Sequence, residues 1–157
     1  MSLSNTWNVY FHDYMDSNWN RESYEILCSY DNATDFWTIF DIMKDTLQMG
    51  MFFFMKHGVF PKWDDNYNSN KNFCFLSIKV LKSNVQYVME YALVRICTES
   101  LLTNNDLNQG MIDGISVSPK KNFCIIKVWI STQDAKYKNI DFYDIPKLYH
   151  GEAIFKD

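Results

Sequence analysis

Two stretches of the chain carry helical apolar spacing, and each stands alone between runs of short aromatic or β-branched segments. In the first, Phe36, Trp37, Phe40 and Met43 follow Asn32-Ala33-Thr34-Asp35, where an Asn cap and a first-turn acid mark a helix start. This predicts an amphipathic helix over 33–47. In the second, Val85, Val88, Met89, Ala92, Leu93 and Ile96 predict a helix over 85–101, with Ser83 and Gln86 spaced as a capping box. Residues 7–12, 24–30, 51–56, 72–81, 111–118 and 123–131 read as strands, and a final strand is expected in Gly-Glu-Ala-Ile-Phe near the C-terminus. Pro119-Lys120-Lys121-Asn122 is a basic hairpin turn, 61–71 is a polar loop, and Asn104-Asn105-Asp106 is loop. Strand runs interrupted by isolated helices define an α+β fold, an antiparallel sheet with helices on one face.

The 157 residues fit one domain, 1–157, with no repeat and no Pro/Gly/Ser linker. Aromatics make up 17% of the chain, more than loops alone can hold, so most rings belong to the core. A net charge of −4 excludes a protein that coats nucleic acid by bulk electrostatics, so any nucleic-acid ligand must be short and held in a local pocket. Arg21 and Arg95 are the only arginines, which leaves phosphate contacts mainly to lysines. Cys28, Cys74, Cys97 and Cys124 are far apart in apolar runs and read as free thiols of a reducing compartment. They share no ligand spacing with His12, His57 and His150, so no metal or other cofactor is expected. No segment has the length of a membrane span or the pattern of a signal peptide, which predicts cytosol, or cytosol plus nucleus. No nucleophile–base pairing or phosphate-binding glycine loop is present, so the chain reads as a binding module and not an enzyme.

Five segments occur in an order that carries a resemblance. They are Trp7-Asn8-Val9-Tyr10-Phe11; Trp19; Asp35-Phe36-Trp37; Gly58-Val59-Phe60-Pro61-Lys62-Trp63-Asp64-Asp65-Asn66-Tyr67-Asn68; and Val128-Trp129-Ile130-Ser131-Thr132. Together they resemble the eukaryotic translation initiation factor 4E family, whose stretches read W-x-L-W-F, D-F-W, G-I-x-P-x-W-E-D-x-x-N and I-W-T. The resemblance spans Trp7 to Thr132 and implies a curved antiparallel sheet with its helices on the convex face. The Asn-rich, Arg-poor composition of such a short member suits a compact, AT-rich genome such as a virus's.

The resemblance also implies a ligand, the 7-methylguanosine cap of mRNA, bound as a monomer in translation initiation or its control. Methylation at N7 makes the guanine a cation with a π face, which binds best between two electron-rich rings. Trp19 and Trp63 take that role by resemblance, although Trp19 stands 18 positions before Trp37, one more than the family's spacing. Asp64 takes the place of the family's Glu opposite the guanine N–H donors, one methylene shorter. Trp129 would touch the N7 methyl. Lys120 stands where the family has a phosphate-binding Arg, and Ile125 where it has a Lys; Lys121 and Lys127 are the other candidates for the phosphates.

A second surface is implied on the helices. Trp37, Met89, Glu90 and Leu93 match the seat of a Tyr-x-x-x-x-Leu helix from a factor 4G-type scaffold or a 4E-binding repressor. Ala33 in place of a valine, and only six residues ahead of Trp7, predict a smaller contact there. The alternative reading is a protein–protein decoy that sequesters initiation partners and has weak or lost cap binding.

Overall fold

The computed structural model describes residues 2–62, 74–103, 105–131 and the backbone of 152–155. Seven strands run β1 Ser2–His12, β2 Glu25–Asn32, β3 Met51–Lys56, β4 Cys74–Leu81, β5 Ile112–Pro119, β6 Phe123–Ile130 and β7 Glu152–Phe155. They form one curved antiparallel sheet in the order β2-β1-β3-β5-β6-β4-β7. Helices α1 Ala33–Met43 and α2 Val85–Cys97 lie on its convex face, the α+β arrangement expected.

Strand alternation sorts the side chains into two layers. Trp7, Val9, Phe52, Phe54, Leu76, Ile115, Ile126 and Val128 pack with Phe36, Phe40, Met89 and Leu93 in the main core. The residues between them, Tyr10, Phe53, Phe75 and Trp129, gather on the opposite face with Val59 and Phe60. Gly114 permits the close approach of β3 to β5 on this side. A Cβ there would lie 2.5 Å from Met55 Sδ and 2.6 Å from Phe54 O.

Several boundaries differ from expectation for identifiable reasons. Strand β1 begins at Ser2, not residue 7, because Ser2 also pairs with Asn32. Asn32 does cap α1, its side chain accepting from Asp35 N at 2.8 Å. The helix then ends at Met43, short of 47, and tightens into a 3-10 turn over Lys44–Thr46, where Thr46 Oγ1 donates to Met43 O at 2.7 Å. Helix α2 ends at Cys97, short of 101. Glu99 adopts a left-handed φ of 55°, and Glu99 N and Ser100 N bond back to Ile96 O and Arg95 O. These two bonds close the helix end as a Schellman motif. The expected Ser83 cap is replaced by a 3-10 turn over Lys82–Asn84, and Asn84 makes no side-chain cap bond. The segment expected as loop near 104–106 contributes one helical turn, α3 Asn105–Asn108. The polar loop 61–71 lies, beyond Lys62, outside the described residues.

All four cysteines are free thiols. Burial pushes Cys74 and Cys97 up to about 11, so neither is a ready nucleophile at neutral pH. No described helix is long and apolar enough to cross a membrane.

Candidate functional site

The concave face carries a trough of about 740 Å³. Its floor follows from cross-strand pairing. Tyr10 faces Phe53, Phe53 faces Ser116, Ser116 faces Lys127 and Lys127 faces Ser77, a row that crosses β1, β3, β5, β6 and β4 on one side. A second row pairs Trp129 with Phe75 on one flank and Gly114 on the other.

Trp129 is floor and not wall. Its ring is 4% exposed and meets Phe75 edge-on at 4.8 Å and 90°, while Nε1 donates to Ser116 Oγ at 3.2 Å. The buried indole N–H is thereby satisfied and the ring orientation set. Only a sliver of Trp129 is open to the trough.

Trp19 forms the wall. It stands in the connection between β1 and β2, is 40% exposed, and stacks on His12 at 3.8 Å and 4°. His12 is fully buried; its Nε2 lies 2.7 Å from Asn18 O and 3.1 Å from Ser23 Oγ. A carbonyl oxygen only accepts, so Nε2 carries the proton. Tyr24 braces the same wall, tilted 4.8 Å from His12, edge-on 6.2 Å from Trp19 and 4.9 Å from Phe60. One indole face is covered by His12, which leaves the other for a ligand in the trough.

The trough also carries positive charge. Lys120, Lys127 and Lys62 line the trough. Lys127 Nζ sits 5.2 Å from the centre of the Phe75 ring. Burial, and then the nearby charge of Lys120, hold the Lys127 ammonium below its usual range. A phosphate placed there would relieve both effects.

Of the sequence-predicted residues, Trp19, Trp129, Lys120 and Lys127 are brought together in the trough. Lys121 is not; it points into a neighbouring hollow. Trp63 and Asp64 lie outside the described residues, directly after Lys62. Sequence reasoning missed His12, Tyr24 and Ser116. The signal for Ser116 was period-two alternation along β5, and Tyr10 with His12 share one face of β1 in the same way.

The helix face differs from expectation. Met89 and Leu93 are buried in the main core against the sheet, 0% and 2% exposed, so they are not available to a partner. Trp37 and Glu90, the other two expected residues, do line the helix groove, and half-buried Val94 takes the place of Leu93 there. Tyr91, Arg95 and Thr98 also line this open groove of about 500 Å³. Trp37 is 45% exposed and rests edge-on against Phe36 and Phe40.

Fold and trough together define an α+β protein whose curved sheet is sealed by helices on one face and hollowed by aromatic rings on the other. The chain belongs to the eukaryotic initiation factor 4E family, whose model matches residues 2–146. Among solved structures it is similar to a schistosome eIF4E complexed with m7GpppA and 4E-BP, with a TM-score of 0.71 and 17% identity over 86% of this chain and 74% of that one. It is also similar to Ascaris suum eIF4E-3 with m7G cap, at a TM-score of 0.68 and 17% identity over 86% and 76%. A third, C. elegans eIF4E-3 with the 4E-binding protein Mextli and a cap analogue, has a TM-score of 0.68 and 16% identity over 85% and 76%. No curated protein matches the chain in a sequence search.

Proposed function

We propose that the trough binds the 7-methylguanosine cap of mRNA and that the protein acts in translation initiation or its control. The observation that carries this reading is Trp19, an indole backed on one face by His12 yet 40% exposed, in a trough that Lys120 and Lys127 also line. An open indole face attracts a cationic ring, and base–aromatic stacking contributes about 1–3 kcal/mol per base. Trp63, next in sequence to the trough-lining Lys62, supplies the second stacking plane in this reading, and Asp64 accepts from the guanine N–H donors. Trp129 meets the methyl group, and the lysines take the phosphates. The complexes of the similar structures with m7G caps support the same ligand here.

The groove on the convex face binds an amphipathic helix from an initiation scaffold or a 4E-binding repressor, with Trp37 and Val94 as apolar seats and Glu90 as the carboxylate. Two of the similar structures carry such a binding protein, which supports this partner.

The deciding experiment is a tryptophan-fluorescence titration with 7-methyl-GTP and with GTP. Strong preference for the methylated nucleotide is expected, and loss of that preference in Trp19→Ala. Equal quenching by both nucleotides would sink the reading.

A further inference from the structure

A second concavity adjoins the trough. It is a hollow of about 520 Å³ between the β5–β6 turn and the segments that carry Tyr14 and Gln48–Met49. Lys82, Lys120 and Lys121 line it, in a chain whose net charge is −4. Among the described residues its lining contains no carboxylate, and the ion pairs engage Lys44 and Lys56 but none of these three. Two exposed apolar groups stand beside the lysines, Tyr14 at 54% and Met49 at 68%. Lys120 belongs to both cavities.

We propose that this hollow holds the first nucleotides of the capped RNA, their phosphates on Lys82 and Lys121 and one base against Tyr14 and the Met49 thioether. The proposal rests on the cap reading above and extends it. A cap whose phosphates lie on Lys120 delivers its RNA past that residue, and Lys120 is also part of the hollow's lining. Single strands bind without sequence preference where a positive groove tracks the backbone beside an aromatic platform. Tyr14 and the three lysines combine those two elements. Tyr14 and Trp19 also stand on the one connection between β1 and β2, so cap and first nucleotides share a support.

The test compares the whole chain's affinity for 7-methyl-GTP with that for a capped RNA of about five nucleotides, across a salt series. The capped RNA is expected to bind about tenfold tighter. Tyr14→Ala should remove part of that gain. The double variant Lys82→Ala/Lys121→Ala should remove most of it and reduce the salt slope by about 1.4, the value for two single-strand phosphate contacts. Neither variant should alter binding of 7-methyl-GTP, which also shows that the fold is intact. A capped RNA that binds no tighter than 7-methyl-GTP, or a gain that survives the double variant, overturns the proposal. If 7-methyl-GTP itself does not bind, the cap reading fails. The hollow is then judged by an uncapped RNA of the same length: binding that depends on Lys82 and Lys121 supports it, and none overturns it. Equal binding of a poly-glutamate peptide would assign the hollow to an acidic protein and overturn the RNA proposal.

Discussion

The imidazole of His12 and the indole of Trp19 lie face to face, 3.8 Å apart and 4° from parallel. One ring is wholly buried and the other is 40% exposed, so the pair joins the core to the trough wall. Because Nε2 is tied to Asn18 O and Ser23 Oγ, the histidine also fixes the backbone that carries Trp19. A ligand that stacks on Trp19 therefore meets a ring already held in place, which lowers the ordering cost of binding.

Shape, more than hydrogen bonding, is the first thing His12 contributes. His12→Phe should keep the stack and retain affinity for 7-methyl-GTP within about threefold, whereas His12→Ala should weaken it about tenfold or more. Titrations of both variants, with melts to confirm folding, check this. Equal loss in the two would assign the role to the Nε2 contacts.

Trp129 and Ser116 should behave as one unit. Ser116→Ala leaves a buried indole N–H without its partner and should cost about 1–3 kcal/mol of stability. Trp129→Phe removes the donor, and in that background the serine change should cost clearly less. Urea unfolding of the four proteins of the cycle measures the coupling; strict additivity would mean that the 3.2 Å contact contributes nothing.

Lys127 should show opposed effects on folding and binding. Its folded pKa is lowered by burial first and by Lys120 second, so its charged form is disfavoured in the fold. The resulting penalty is fully present at pH below the folded value and is relieved as pH rises through it towards the unfolded value. Lys127→Met should therefore leave stability unchanged or improved at neutral pH while weakening nucleotide binding. As pH rises, native affinity for 7-methyl-GTP should also fall at a lower pH than that of Lys127→Arg, which stays charged. Ligand titration is common to both proteins, so superimposed pH profiles would remove Lys127 from the phosphate site.

Substitutions on α2 should separate core from groove. Met89→Ala and Leu93→Ala each delete a buried side chain and should cost about 2–5 kcal/mol of stability. Trp37→Ala should change the melt little yet abolish binding of a Tyr-x-x-x-x-Leu peptide. Val94 also packs on the core, so Val94→Ala should weaken that binding at a smaller cost in stability than either core change. Calorimetric titration and thermal unfolding of all four decide it. Undiminished peptide binding in Trp37→Ala would place the helix elsewhere.

What could be read in the sequence divides along physical lines. Residue patterning located both helices and all seven strands, since apolar spacing reports which face is buried. It did not settle where α1 and α2 end, because Thr46, Glu99 and Ser100 act through local hydrogen bonds and one left-handed residue. Trp19 and Trp129 were visible through family motifs, but their surroundings were not. The His12 stack depends on how the β1–β2 connection folds back, and no spacing rule encodes that. For Met89 and Leu93 the resemblance points to a partner and the apolar spacing to the core; the packed sheet decides for the core.

The alternation along β3 and β6 has a consequence for how such a chain can diverge. Phe52 and Phe54 serve the helices while Phe53 and Met55 serve the trough, and Ile126 and Val128 are interleaved with Lys127 and Trp129 in the same manner. Gain or loss of a single codon inside either strand would exchange these two allegiances at every following position, to the end of the strand. An added or lost residue is therefore far better tolerated in the connections than inside β3 or β6.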